Sequence, residues 1–422
     1  NPQCRTYLSA VSLIAYVFTK ISVAIFAGAL VLETVLGWNI WVGAIVLVVA
    51  TGVYTVFGGL RAVIYTELFQ AFILIAGGVF LTIMAISEVG GLDALVDGVD
   101  VEFFNLWKGF EHADFPWTGI LFGAPILGVW YWCTDQMIVQ RTLAARNIRE
   151  AQRGTIFAGF LKLLPVFILV LPGIVGKIIY PDVKPNDMYA TMVNDLLPAG
   201  VKGLVIAALL AALMSSLAAV FNSSSTLVVM DFYKKLRPQA PERELVRAGQ
   251  AATIILVGVG LVWIPFIGKI SSQLFVYLQS VQAYISPPIA AVFLVGLLWK
   301  RANGTGALAA LLTGFVLGAV RFVAELGVKS DPAWITSSFL TDYASINFLH
   351  MAIILFAVSI AVLVGVSLLT GRPSEANLNM FSSTSREATA TDGRRGMSVV
   401  LSVLLVLIVL GLWAYFSAWF FH

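Results

Sequence analysis

Charge is what this sequence has least of. Only 12% of its 422 residues are Asp, Glu, Lys or Arg, against 59% hydrophobic, and the mean hydropathy is +0.91. A water-soluble domain of that balance would expose large apolar patches and aggregate, so that class is excluded. Cysteine is nearly missing as well. Cys4 stands at the head of the first apolar run and Cys133 deep in a later one, so no disulfide framework is expected. His112, His350 and His422 are scattered. Without a Cys/His cluster there is no basis for a structural metal site. No nucleophile–base pair lies in the apolar runs, so nothing supports a membrane enzyme. The formal net charge of +3 gives no reason to expect a nucleic-acid partner.

Long apolar runs are what the sequence does have. About 20 such residues cross a bilayer core as a helix, and a chain in lipid must satisfy its backbone internally. The runs therefore predict an all-α polytopic membrane protein, one transmembrane domain over 1–422. Its eleven spans are read as 7–35, 39–57, 62–87, 118–140, 155–180, 201–230, 246–268, 274–299, 304–326, 346–370 and 397–421. If these alternate, four basic loops fall on one side: Arg141 to Arg153, Lys234 to Arg247, Lys300 with Arg301, and Arg372 to Arg395. The acidic stretch from Glu88 to Asp114 falls on the other. The positive-inside rule makes the basic side cytoplasmic, as expected of a multi-pass protein of the cell's inner membrane with its His422 end outside. Asn303-Gly304-Thr305 fits a glycosylation pattern but lies on the cytoplasmic side and should be unmodified.

An ionisable group in hydrocarbon costs about 2.5–3.5 kcal/mol on insertion scales and is a functional candidate by default. Five are read inside spans: Lys20, Glu67, Asp135, Lys162 and Asp231. Glu67 and Asp135 are expected near span ends within reach of water, and Asp231 at the exit of its helix. Lys162, about two turns into its span, either snorkels to the interface or serves a ligand. The run Ala211–Ala219, with Ser215-Ser216 at its centre, suits close helix packing. It also supplies the neutral oxygens that a hard cation such as Na⁺ takes. Trp130-Tyr131-Trp132 follows Pro125 and Gly128. Such aromatics serve an interfacial belt or, in a broken transporter helix, a platform for sugar C–H faces. Span 274–299 carries Gln279, Ser280, Gln282 and then Pro287-Pro288. Its polar groups need partners from a helix or a ligand, and its prolines should kink the helix and free carbonyls.

Several segments resemble one family. Gly58-Gly59-Leu60-Arg61-Ala62-Val63-Ile64-Tyr65-Thr66-Glu67 is similar to the GGLxAVxxTD segment of the solute:sodium symporter family. Tyr131-Trp132-Cys133-Thr134-Asp135-Gln136-Met137-Ile138-Val139-Gln140-Arg141 closely resembles the corresponding segment of its sodium/glucose cotransporter subfamily. Gly159 to Leu163, Leu213 to Leu217, Phe221 to Leu227, Tyr277 to Ser280 and Pro287 to Leu294 match the same subfamily, and the compact loops point to a bacterial member. The resemblance implies a five-plus-five inverted-repeat fold with peripheral helices. It also implies that Tyr7 opens the third helix of the ten-helix core, the first core helices being absent from this chain.

By the same resemblance, Tyr131 matches the inner-gate tyrosine and Trp132 a sugar-stacking or gate residue. Lys162 and Gln279 match sugar hydrogen-bonders, and Phe275 an aromatic of the outer gate. Ala212, through its carbonyl, matches the sodium site together with the hydroxyls of Ser215 and Ser216. Three departures stand out. Gly128 sits where relatives carry Thr, Ser or Asn against the sugar. Glu67 replaces the usual Asp and is a weak further candidate for sodium. Ala218 and Ala219 stand where two-sodium members carry hydroxyls. The resemblance thus implies symport of Na⁺ with a glucose- or galactose-type sugar by alternating access, one Na⁺ per sugar, in a lipid bilayer. Myo-inositol or another small polar solute, or a cation-conducting sugar sensor, are the alternatives.

Overall fold

The computed structural model describes residues 2–271, 273–330, 333–373 and 395–417, with the side chains of 54–66, 268–270 and 395 left aside. Among these residues every regular element is helical. Besides a short helix at Leu92–Gly98, the helices are α1 (Pro2–Leu36), α2 (Ile40–Val89), α3 (Gly119–Cys133), α4 (Gln136–Leu143), α5 (Ile148–Ile179) and α6 (Met188–Leu196). They continue with α7 (Ala199–Leu236), α8 (Glu242–Ile270), α9 (Leu274–Leu298), α10 (Gly304–Lys329), α11 (Ser338–Ser345), α12 (Phe348–Leu369) and α13 (Arg395–Tyr415). Nine stretches among the described residues are long and apolar enough to cross a membrane.

Two expected spans, 39–57 and 62–87, lie on one continuous helix, α2. Gly58-Gly59, which lies between the two expected spans, does not end it, and most of that motif's side chains lie outside the described residues. Residues 118–140 do break: α3 stops at Cys133 and α4 begins at Gln136. The end of the last expected span, and with it His422, lies outside the described residues.

Polar caps set the helix ends. Gly37, at φ +67°, closes α1 in a left-handed conformation that glycine adopts without strain. The side chain of Asn39 then accepts from Trp41 N to open α2. Asn303 opens α10 by accepting from Gly306 N, while its own amide donates to Thr370 Oγ1 at 2.7 Å and Gly371 O at 2.8 Å. Inside α1, residues Tyr16–Ile21 form a π-helical turn. Such turns disturb the regular bonding ladder and occur often at functional sites. Here the Phe18 carbonyl accepts from Tyr277 Oη of α9 at 2.8 Å, and Tyr277 in turn accepts from Trp263 Nε1 of α8 at 2.7 Å.

Small residues let the helices approach closely. α9 runs unbroken through Pro287 and Pro288. Pro288 has no N–H to give the Tyr284 carbonyl one turn back. Gly318 of α10 packs directly on that carbonyl, where a Cβ would stand 2.1 Å from the oxygen. Gly77 against Val205 and Gly249 against Ser225 show the same close approach. Lipid-length helices with outward apolar faces complete the arrangement. On α13, Val399, Val403, Leu407 and Leu410 are all exposed.

Three expectations about buried charge need correction. Asp135 is not within reach of water: it is buried and paired with Lys20. Asp231 does not mark a helix exit, because α7 continues through a π-helical turn, Val229–Tyr233, to Leu236. It is buried against Ser9 and the Arg5 guanidinium, the latter at 2.6 Å. The five ionisable groups read inside spans were also too few. Arg321 and Glu325, one turn apart on α10, are buried and pair at 3.0 Å. Lys329 reaches the same carboxylate at 2.6 Å, as does Tyr284 Oη. Pairing along α10 and the Tyr284 hydroxyl of α9 offset part of the cost of burying these charges.

Candidate functional site

The break between α3 and α4 builds the site. Thr134 N and Asp135 N both bond to Trp130 O at 3.1 Å, so the chain turns around one carbonyl. Asp135 then caps α4 by accepting from Met137 N at 3.1 Å. The last turn of α3 is left presenting Tyr131 and Trp132, their rings edge to face with centroids 5.2 Å apart.

Those rings line a cleft of about 550 Å³, within the roughly 300–1,000 Å³ of small-molecule sites. Gly128, Tyr131 and Trp132 come from α3, Lys162 from α5, and Phe275 and Gln279 from α9. All six residues matched to the sugar site by resemblance therefore meet around one space. Gln282, Leu278 and Leu127 complete much of the wall. The Lys162 ammonium stands 5.5 Å from the Trp132 ring and 5.9 Å from the Tyr131 ring. That is cation–π range, and it sets the lysine over the two rings. Two aromatic rings set edge to face, a cationic donor and an amide with two donors and an acceptor therefore share one cleft.

A second chamber of about 470 Å³ adjoins the cleft and shares Ala124, Phe275 and Gln279 with it. Its walls are aromatic. Phe275 packs on Phe115, centroids 6.1 Å apart, and Trp107 donates through Nε1 to Trp413 O at 3.0 Å. Phe275 thus stands at the boundary of the two spaces.

The sodium candidates lie elsewhere, on α7. Ala212, Ser215 and Ser216 follow the i, i+3, i+4 spacing that keeps groups on one side of a helix. Ser215 is buried and Ser216 is exposed. Ser215 Oγ hydrogen-bonds to Glu67 Oε1 of α2, and Arg141 Nη2 of α4 donates to the same carboxylate oxygen at 2.8 Å. Glu67, the weak further candidate for sodium, therefore sits against Ser215. A hydroxyl that donates to a carboxylate keeps its lone pairs free for a cation. Among the described residues no group of three or more His, Cys, Asp or Glu could hold a metal ion.

Sequence reading noted Lys20 and Asp135 without assigning them to the site. The structure sets Lys20 against Asp135 with its ammonium 5.7 Å from the Tyr131 ring. Two opposite charges in spans so poor in charge were the available signal, but their meeting depends on the π-helical turn of α1, which no sequence pattern marks.

The profile of the sodium:solute symporter family matches residues 1–314. The sodium/mannose cotransporter of Bos taurus is 40% identical over 405 residues, covering 87% of this chain and 68% of that protein. The sodium/glucose cotransporter 1 of Oryctolagus cuniculus is 40% identical over 407 residues, covering 87% of this chain and 62% of that protein. The chain thus spans about two thirds of the length of these curated relatives. Among solved structures, a Na⁺-coupled sialic acid symporter in a substrate-bound outward-open state superposes with a TM-score of 0.68. It is 19% identical, and the match covers 89% of this chain and 76% of that one. That likeness shows the fold.

Proposed function

The chain belongs to the sodium:solute symporter family and is a multi-pass membrane protein, and from that premise we propose that it carries a hexose of the glucose, galactose or mannose type into the cell together with Na⁺. The observation that carries this reading is the single cleft shared by Tyr131, Trp132, Lys162 and Gln279. Sugars present apolar C–H faces and hydroxyl edges, and this cleft brings aromatic rings and polar donors to one space.

Coupling follows from differential binding. A ligand shifts a conformational equilibrium only by the difference in its affinity for the two states. In this reading Na⁺ takes the Ala212 carbonyl and the hydroxyls of Ser215 and Ser216 and favours an outward-open state. Sugar then favours closure, with Phe275 on the outer side and Tyr131 on the inner. The work comes from the sodium gradient plus about 2.3 kcal/mol per charge per 100 mV. The stoichiometry is one Na⁺ per sugar, because Ala218 and Ala219 bring no side-chain oxygen to a second shell.

The test is uptake of labelled glucose, galactose, mannose and myo-inositol into proteoliposomes with inward Na⁺ or K⁺ gradients. Accumulation of a hexose above its external concentration under Na⁺ alone is expected. Equilibration without concentration would replace symport by facilitated passage or sensing, and preference for myo-inositol would replace the hexose.

A further inference from the structure

The buried Lys20–Asp135 pair is used by neither the sugar nor the sodium group, yet it lies between them. Lys20 projects from the π-helical turn of α1, and Asp135 occupies the gap between α3 and α4. Tyr16, on the same turn, donates to Asp135 Oδ1 at 2.8 Å and accepts from Met137 N at 3.2 Å. One element of α1 therefore grips both the acid in the gap and the first turn of α4.

The two sides of that gap face different groups. On one side, α3 ends in Tyr131 and Trp132 over the cleft. On the other, Gln140 of α4 donates to Ser223 Oγ of α7 at 2.9 Å, and Arg141 holds the carboxylate that Ser215 also touches. A rotation at residues 134–135 would move the aromatic platform relative to the serine-bearing helix.

Buried ion pairs contribute little net stability compared with apolar packing, and their best-attested use is to fix one register of the elements they join. We propose that Lys20 and Asp135 are positioning residues that lock the α3–α4 hinge, so that the Tyr131 platform and the seat of α4 on α7 move as one unit and sodium occupancy sets sugar affinity. This rests on the symport reading for the identity of the two ligands. The hinge itself rests on the contacts above.

The decisive variant is the double substitution Lys20→Met with Asp135→Asn. It leaves no unpaired buried charge, and asparagine caps a helix as well as aspartate does. Binding of labelled galactose to the purified protein is measured in NaCl and in KCl. The wild type is expected to bind more tightly in Na⁺. The double variant is expected to bring the ratio of the two affinities to within about twofold of one without reducing the number of sites. Lys20→Arg is expected to retain most of the wild-type ratio. Tyr16→Phe, which removes both hydrogen bonds of that hydroxyl and no charge, should give an intermediate ratio and serves if the double variant does not accumulate. A purely structural role would lower the number of sites and leave the ratio alone, and an unchanged ratio in these variants overturns the proposal.

Cys133, exposed at the end of α3, reports on the hinge without any ligand. In a Cys4→Ser background its alkylation by N-ethylmaleimide should proceed at a different rate in the double variant, because the turn that follows it is no longer held. Equal rates overturn the lock. If the wild type shows no sodium-dependent sugar binding, the symport reading falls, and the Cys133 rates still decide the hinge.

Discussion

Glu67 on α2 and Ser215 on α7 share a hydrogen bond, and the carboxylate oxygen that accepts it also takes the guanidinium of Arg141. A candidate cation ligand therefore has a negative charge directly behind it, held in place by a positive one from the helix that follows the aromatic platform. Neutral oxygens alone bind a monovalent cation weakly, and a fixed carboxylate within a few ångströms adds field without filling the shell.

Neutralising that carboxylate should weaken sodium without touching sugar chemistry. Glu67→Gln keeps an acceptor for Ser215 but leaves Arg141 unopposed. A unit charge a few ångströms away is worth on the order of 2 kcal/mol in a partly screened site, so half-activation of uptake should need about thirtyfold more Na⁺. Ser215→Ala should abolish sodium-dependent uptake and leave sugar exchange in place. Sodium titrations of uptake and counterflow check both, and an unaltered sodium curve in Glu67→Gln would remove the carboxylate from the sodium group.

Lys162 stands over both platform rings, so its loss should fall on sugar. A charge-assisted hydrogen bond contributes about 1.5–3 kcal/mol, and Lys162→Ala should therefore weaken galactose or glucose binding tenfold or more with sodium binding little changed. Equal apparent sugar affinity in the variant would return Lys162 to a snorkelling role.

Gln279 lines both the cleft and the adjoining chamber. A site built around a hydrogen bond discriminates strongly against ligands that leave it unpaired. Gln279→Ala should narrow the difference between glucose and its epimers rather than lower all sugars alike. A uniform loss, with less protein in the membrane, would mark it as a packing residue.

Much of this was legible in the sequence, and the residues show why. Apolar run length needs only counting, so eight of the described helices lie close to the runs read for them. Gly58-Gly59 misled, because glycine weakens a helix without obliging it to stop. The cleft residues were found through local motifs, each short enough to read without knowing the fold. Lys20 with Asp135, and Ser9 with Asp231, were not, since each pair spans more than a hundred residues and meets only through the packing of α1. Arg321 and Glu325 were readable by their four-residue spacing, which marks a pair on one helix face.

That pair supports a stability prediction. Arg321 and Glu325 are both nearly inaccessible, and Arg321 also donates to Ile346 O at 2.9 Å. Removing one member of a buried pair costs about 3–5 kcal/mol because the other is stranded. Lys329 still reaches Glu325, so Arg321→Met should fall at the low end, about 3 kcal/mol. The double variant with Glu325→Gln should recover part of that loss. Thermal unfolding of purified protein in detergent measures the cycle, and additive losses would show that the two residues do not act as a pair.

The last prediction concerns a gain. Gly128 lines the cleft, and a Cβ placed there meets no atom within 4 Å. The glycine is therefore not required by packing, and the wall of the cleft lacks a side chain where one would fit. It lies inside α3, where glycine is a poor helix former and asparagine a better one. Gly128→Asn would place an amide donor and acceptor into the cleft beside the Tyr131 ring. A neutral hydrogen bond contributes about 0.5–1.5 kcal/mol, so galactose or glucose affinity should rise between about twofold and tenfold, with unfolding temperature unchanged or slightly higher. Gly128→Ala is the control: it occupies the same space and adds no polar group, so it should leave affinity near the wild-type value. Tighter binding by Gly128→Asn alone, measured by displacement of labelled sugar, would locate the solute against α3. Weaker binding by both variants, with the fold intact, would mean the solute itself fills the space at Gly128, and the missing hydrogen bond would cease to explain which sugar this cleft prefers.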